Sequence, residues 1–386
     1  MVHREKKIAE GANASPVVAA LSDFEKNLLN DYQRNFPLSA TPFAMLAEQL
    51  GESEQQVMDV LASFKSHGLI SRVGPVFSPN RVGASTLVAM AVPPDSLDEI
   101  AEIVSSYPEV NHNYEREHHY NLWFVLTASD QQHLQAALDD IHKTTGLEPI
   151  SLPMVKSYHI DLGFKLKWKG EDELEQQQKD RADEGRHALS DSVISIGQDI
   201  SNSIAERLVA AVQGGLPLVS RPYQQIAEQI GISESDCIQR LKNWLENGTI
   251  NRLGVVVRHR ELGYRANAMV VWDIPDEMVS RVGRCFADFD FVNLCYQRPR
   301  HLPQWRYNLF CMIHGQDREE VLERVQQLAN ECIDAQSQHE VLFSCRRFKQ
   351  RGARYHIGSQ AGSKSVSNKE TAQQLTNLEH LSIVND

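Results

Sequence analysis

At 386 residues the chain is longer than one ordinary domain, and its 41% hydrophobic content is enough to bury real cores. The formal net charge of −12 makes the surface as a whole repel a phosphate backbone, so a nucleic-acid reading needs a local basic patch. The charged stretch 1–7 and the lack of any long apolar run argue against a signal-peptide core or a membrane span, and the expectation is a soluble, cytoplasmic protein.

In chain order, a helical pattern over 21–32 is followed by a Pro-started helix near 41–50, a turn at Gly51 and a third helix opened by Ser53. Three short helices with a glycine between the last two predict a helix-turn-helix, and 70–77 reads as its wing. A strand (85–92), a helix (97–106), two strands around 110–114 and 121–126, another helix and a last strand follow in the order βαββαβ, the ferredoxin-like arrangement. The segment 169–199 is charged and glutamine-rich and reads as a linker.

Beyond it the pattern starts again. Residues 36–83 align without a gap on 216–263: Pro42 meets Pro222, Gly51 meets Gly231, Gly68 meets Gly248, Arg72 meets Arg252 and Gly74 meets Gly254. The predicted fold class is therefore α+β, a tandem duplication of a winged helix-turn-helix plus ferredoxin-like unit. The expected boundaries are helix-turn-helix 21–84, ferredoxin-like 85–168, linker 169–199, helix-turn-helix 200–264, ferredoxin-like 265–356 and a mobile tail 357–386. The two copies are expected to pair their sheets as a pseudo-dimer within one chain, with further homo-oligomerisation through isologous contacts. All six cysteines lie in the second half and none is in CxxC spacing, which fits buried reduced thiols better than a zinc site or a disulfide framework.

A recognition helix needs Arg, Lys, Asn or Gln near its start and basic neighbours for phosphates. Here the candidates open with Ser53-Glu54-Gln55-Gln56 and Ser233-Glu234-Ser235-Asp236, with Lys65, Arg240 and Lys242 as the nearby cations. The acidic openings oppose phosphate approach, so a structural helix bundle without specific DNA contact is expected.

The densest polar and aromatic cluster runs from Asn111 to Trp123, and its counterpart runs from Cys295 to Phe310. Tyr114-x-Arg116 matches Tyr296-x-Arg298, and Tyr120-Asn121-Leu122 matches Tyr307-Asn308-Leu309. Strand alternation puts Tyr120, Leu122, Phe124 and Leu126 on one face, toward helices, and His119, Asn121, Trp123 and Val125 on the open face. In the second copy that face carries Arg306, Asn308, Phe310, Met312 and His314. Cations, histidines and flat apolar groups together suit an aromatic macrocycle bearing carboxylates, because Arg clamps carboxylates in bidentate fashion. An aromatic and Arg-rich interface between the copies would draw on the same residues. Arg258-His259-Arg260 and Arg346-Arg347 could neutralise further carboxylates or form a solvated charged face.

Through Tyr114-x-Arg116-x-x-His119-Tyr120-Asn121-Leu122-Trp123, Asn267-Ala268-Met269-Val270-Val271-Trp272 and Tyr307-Asn308-Leu309-Phe310-x-Met312-Ile313-His314-Gly315, the chain resembles the siroheme decarboxylases of the Ahb/Nir family. The first copy is similar to the NirD type and the second to the NirL type, so the resemblance is to the fused NirDL form, with Lrp/AsnC-like architecture. One departure is Arg306, where the resemblance leads one to expect proline. The resemblance implies loss of carbon dioxide from two acetate side chains of siroheme, giving 12,18-didecarboxysiroheme on the route to heme d1. It also implies separate NirG/NirH-type partner subunits for complete conversion, and no cofactor beyond the iron of the siroheme substrate.

Such a reaction needs a proton donor, which histidine can be near neutral pH and Arg cannot. The resemblance and the face assignment together give His119, with His118 as alternative, to proton delivery, and Arg116 and Arg298 to carboxylate binding. Tyr114, Tyr120, Asn121, Trp123, Arg300, His301, Arg306, Tyr307 and His259 complete the expected substrate contacts. His119 or His118 could instead be an axial ligand of the substrate iron. An Lrp-like regulator and a non-catalytic haem-binding protein are the rival readings.

Overall fold

The computed structural model describes residues 21–79, 81–160, 163, 166, 203–258, 261–262, 266–333 and 337–355. The linker 169–199, the tail 357–386 and His259 lie outside the described residues.

Each copy opens with three helices whose ends are written in the sequence. In the first copy these are α1 (Asp23–Asp31), α2 (Pro42–Leu50) and α3 (Glu54–Ser66). Ser22 caps α1 in a capping box with Glu25, Pro42 starts α2, and Ser53 caps α3 by accepting from the Gln56 amide. Gly51 ends α2 in the left-handed region at φ 72°. After β1 (Ile70–Phe77) come β2 (Ala84–Met90), α4 (Leu97–Ser106), β3 (Val110–Arg116), β4 (Leu122–Ala128), α5 (Gln131–Thr145), β5 (Ile150–Pro153) and β6 (Lys156–Ile160).

The second copy repeats the plan. Its helices are α6 (Ser203–Val212), α7 (Pro222–Ile230) and α8 (Glu234–Glu246), followed by β7 (Ile250–Val257), β8 (Ala266–Trp272), α9 (Val279–Ala287), β9 (Val292–Gln297), β10 (Leu309–Gly315), α10 (Arg318–Cys332) and β11 (His339–Gln350). The same punctuation recurs, with Pro222 starting α7, Gly231 ending it at φ 72° and Ser233 capping α8.

The segments read as wings do something else. β1 and β7 pair with each other, antiparallel, with Gly74 opposite Gly254. A Cβ at Gly254 would collide with the Tyr32 and Gln33 carbonyls, which explains glycine there. The two helix-turn-helix units therefore share one core, in which Leu28, Phe43 and Leu61 of the first copy join Leu208, Tyr223 and Leu241 of the second.

The ferredoxin-like halves are fused as well. Nine strands form one sheet in the order β5-β2-β4-β3-β11-β8-β10-β9-β6. β11 pairs with its own β8 through its first half and with the first copy's β3 through its second half. β5 pairs with its own β2, and β6 crosses to the second copy's β9. The two sheet edges are thus successive segments of one chain, and the sheet closes on its inner face. That face holds Leu87, Trp123 and Leu152 of the first copy packed with Met269, Tyr296, Trp305, Phe310 and Leu342 of the second. The helices cover the outer face in two separate cores, one per copy. The expected pseudo-dimer is present, and the large open face is mostly the interface between the copies.

The cysteine expectation needs correction at two positions. Cys285 of α9 and Cys332 at the end of α10 form a disulfide, with Cα atoms 5.8 Å apart. The two helices lie side by side on the sheet, a proximity that linear spacing does not report. The other four are free thiols, three of them buried.

Candidate functional site

The chemistry-bearing residues of the first copy sit where β3 turns into β4, and strand alternation does not extend through that turn. β3 ends at Arg116, whose amide donates to the Asn121 carbonyl at 2.8 Å, and β4 begins only at Leu122. Leu122, Phe124 and Leu126 face the helices and Trp123 and Val125 face inward, as alternation predicts. Tyr120, expected with Leu122, instead packs on the inner-face cluster. Asn121, expected on the open face, is a structural tie: its amide donates to the Val92 carbonyl and its carbonyl accepts from the Val92 amide, each at 2.9 Å. Residues 117–121 form an irregular turn, and a period of two holds only for residues in the ladder.

Within the turn the two histidines differ. His118 is enclosed, with 14% of its side chain exposed. Its Nδ1 accepts from the Tyr120 amide at 2.9 Å, and its Nε2 lies 2.9 Å from Glu340 Oε2 on β11. The ring stacks on Tyr120 at 5.9 Å and meets the edge of Trp305 at 5.6 Å. Burial lowers its proton affinity below that of an ordinary histidine, and the Glu340 carboxylate opposes that effect. His119 is exposed, touches the Tyr120 ring edge-on at 5.1 Å, and has no hydrogen-bond partner among the described residues.

The second copy contributes the loop after β9, pinched by a bridge between His301 and Trp305. Trp305, 1% exposed, is the hub of the cluster and contacts Tyr120, Trp123, Tyr307 and Phe310 at 5.0 to 6.0 Å besides His118. The Tyr307 hydroxyl donates to the second carboxylate oxygen of Glu340, and burial together with that carboxylate raises the Tyr307 pKa. Glu340 therefore holds a histidine of one copy and a tyrosine of the other.

The predicted arginines fall into two kinds. Arg116 donates to the Leu342 carbonyl at 2.9 Å, and Arg298, its repeat equivalent, donates to the Leu152 carbonyl, so each reaches the last strand of the opposite copy. Arg116 lies 5.9 Å from the Tyr114 ring, which is stacked on His112, and Arg298 lies 4.5 Å from the Tyr296 ring. Burial lowers the pKa of both, neither Nε has a partner, and neither guanidinium has a carboxylate partner among the described residues. Enclosed cations without a counter-anion are costly, and an incoming carboxylate would relieve that cost.

Arg300 and Arg306 are already satisfied. Arg300 bonds Asp273, Asp276 and the Ile274 carbonyl at 2.7 to 2.8 Å, and Arg306 bonds Asp273 and Gln338 at 2.6 to 2.7 Å. His301 Nε2 is 2.7 Å from the Ser151 carbonyl. Arg306 also lines a cleft of about 310 Å³ with Asp273, Met278, Arg281 and Gln338, but none of His118, Tyr120, Tyr307 or Glu340 borders it. Arg346 and Arg347 pair with Glu115, Asp98 and Glu261, as a charged surface does.

The structure thus brings His118, His119, Tyr120, Trp123 and Tyr307 together around Trp305, sets Arg116 apart beside Tyr114 and the Leu342 carbonyl, and commits Asn121, Arg300 and Arg306 to structural ties. Sequence reasoning missed Glu340 and left Trp305 out of the site. The one signal for Glu340 is an acid on the inward-facing parity of β11, in step with Leu342. Among the described residues no group of three or more His, Cys, Asp or Glu is arranged to hold a metal ion.

Comparison with known proteins agrees with the duplication. The family model described as the AsnC-like ligand binding domain matches residues 81–159 and 261–349, and that of the siroheme decarboxylase NirDL-like HTH domain matches 25–70 and 205–250. The siroheme decarboxylase NirDL subunit of Paracoccus pantotrophus is 39% identical over 335 residues, 86% of this chain and 97% of that protein. The siroheme decarboxylase of Hydrogenobacter thermophilus is 31% identical over 340 residues, 86% of this chain and 95% of that protein. A crystal structure of the siroheme decarboxylase NirDL superposes with a TM-score of 0.61 at 27% identity, covering 93% of this chain and 100% of that one. A second, solved in co-complex with an iron-uroporphyrin III analogue, gives 0.59 at 26% identity, covering 86% and 93%.

Proposed function

The chain belongs to the siroheme decarboxylases of the NirDL type, and on that premise we propose that it removes carbon dioxide from two acetate side chains of siroheme, yielding 12,18-didecarboxysiroheme for heme d1 synthesis. The observation that carries this reading is the composite cluster of aromatic rings and histidines, built from both copies next to two enclosed arginines that lack carboxylate partners among the described residues. Flat rings accept the macrocycle, and the arginines take its carboxylates. A relative solved with an iron-uroporphyrin III analogue supports an iron tetrapyrrole as the ligand.

Each decarboxylation replaces a carboxylate by hydrogen, consuming one proton and releasing one carbon dioxide. Proton delivery goes to His119, whose ring nitrogens are open, with His118 as the alternative. Arg116 and Arg298 orient carboxylates, so that binding energy is spent on placing the reacting acetate. The reaction is redox-neutral, and no cofactor beyond the substrate iron is invoked.

Separate NirD, NirL and NirH subunits among the relatives support partner subunits of the NirG/NirH kind, and self-association into a homo-oligomer through isologous contacts is part of the same proposal. Specific DNA binding is disfavoured because Arg221 and Arg240, beside the second recognition helix, already pair with Glu234 and Asp236. No helix among the described residues is long and apolar enough to cross a membrane, which accords with a cytoplasmic reading.

The test is anaerobic incubation with siroheme, partner subunits supplied, followed by mass spectrometry of the extracted tetrapyrrole. A product lighter by one or two carbon dioxide molecules is expected; siroheme returned unchanged by folded protein would sink the proposal.

A further inference from the structure

Glu340 stands in an electrostatically awkward place. Its side chain is 44% exposed, beside the rings that would receive a polycarboxylate, so it repels the substrate the site is built for. It also has no counterpart in the first copy. Leu342 pairs with Met269 as Leu152 pairs with Leu87, which puts Ile150 where the second copy has Glu340. The duplication did not require an acid there.

The geometry supplies the reason. His118 Nδ1 accepts from the Tyr120 amide, so the ring proton sits on Nε2 and is donated to Glu340 Oε2. Oε1 accepts from the Tyr307 hydroxyl, leaving the carboxylate a single orientation. The imidazole is clamped between the Tyr120 face and the Trp305 edge. The other titratable groups around it are His119, Tyr120 and Tyr307.

We propose that Glu340 is the positioning residue of proton supply: contributed by the second copy, it fixes the His118 ring of the first, with its proton on Nε2, next to His119 and against Tyr120. This rests on the siroheme decarboxylase reading. Two acetates consume two protons, and a histidine–carboxylate pair adjoining the open His119 keeps a second proton in reach once the macrocycle covers the site. It follows that the first copy's chemistry is incomplete without the last strand of the second.

The test uses the full chain with 15N-labelled histidine, comparing wild type with Glu340→Ala and the isosteric Glu340→Gln, and assigning the His118 signal through His118→Gln. In the ligand-free wild type, His118 is expected as the Nε2–H tautomer; in Glu340→Ala that signal should become a mixture or broaden. Turnover of siroheme should fall roughly 10- to 100-fold in Glu340→Ala, the scale on which a misplaced proton donor acts, and less in Glu340→Gln. Siroheme affinity should stay level or tighten, because a repelling charge has gone. That split separates positioning from packing, since a packing defect weakens affinity together with turnover. Turnover within about 2-fold of wild type, or loss of both quantities with an unchanged His118 signal, overturns the proposal. If the wild type itself leaves siroheme unchanged, the functional reading falls, and the ligand-free spectra still decide whether Glu340 sets His118.

Discussion

The turn after β3 and the loop after β9 occupy equivalent places in the two copies and have become different devices. Five residues separate Arg116 from Leu122, and ten separate Arg298 from Leu309. The short turn ties itself down at His118, whose amide donates to the Arg116 carbonyl and whose Nδ1 accepts from the Tyr120 amide, and leaves His119 exposed. The long loop binds itself down through the His301–Trp305 bridge, the Arg300 pairs with Asp273 and Asp276, and the Arg306 contacts, and it sets Trp305 against His118 and Tyr120 of the first copy's turn. Counted from the matched arginines, His118 corresponds to Arg300, so a titrating ring in one half is a permanently charged, doubly paired guanidinium in the other. A duplicated scaffold can thus carry an exposed histidine in one copy and ion-paired arginines at the equivalent loop of the other.

The sharpest break between the halves is His119→Ala against His301→Ala. His119→Ala should leave siroheme bound and cut turnover by about 100-fold or more, the usual scale of general-acid assistance. His301→Ala, which loses only its contact to the Ser151 carbonyl, should lower turnover by less than about 10-fold. Anaerobic single-turnover kinetics alongside binding titrations measure both. Equal losses would show that the two loops share the chemistry.

Each copy also carries one histidine on the inner face, half-buried and poorly protonatable. Burial and a nearby arginine push His112 and His314 down to about 4. With an unfolded value near 6.5, the unfolded chain binds more protons between these limits. The stability they contribute is complete above about pH 6.5 and is lost as pH falls toward 4, about 1–3 kcal/mol for each. Urea midpoints measured across that range in wild type, His112→Gln and His314→Gln check this, and both variants should flatten the profile.

Asn121 and Asn308 do the same job in the two halves, and their comparison grades the scaffold. The Asn308 side chain bonds both backbone groups of Ile274 at 2.9 to 3.0 Å and additionally Asp276, whereas the Asn121 side chain bonds Val92 alone among the described residues. Either change to Ala should cost about 1–3 kcal/mol by orphaning enclosed backbone groups, with Asn308→Ala the larger, as chemical denaturation would report. The smallest effect is expected at Arg306, exposed and tied to Asp273 and Gln338. Arg306→Ala should shift stability by less than about 1 kcal/mol, and less again at high salt.

Much of this was legible in the chain before any coordinates. Helix ends follow from Pro42, Gly51 and Ser53 and their repeats Pro222, Gly231 and Ser233, because caps and left-handed turns are local. The 180-residue offset made the duplication visible, and Tyr114-x-Arg116 with its echo marked the two turns from which the candidate site is built. What the tertiary structure decided is everything that depends on how the copies meet. β1 pairs with β7 rather than folding back as a wing, β11 and β6 cross between copies, and α9 and α10 bring Cys285 to Cys332. His118 gains Glu340 from 222 positions away. Sequence patterns report neighbours within a turn or along a ladder, while these contacts join residues distant in the chain, and the irregular backbone at 117–121 obeys no period at all.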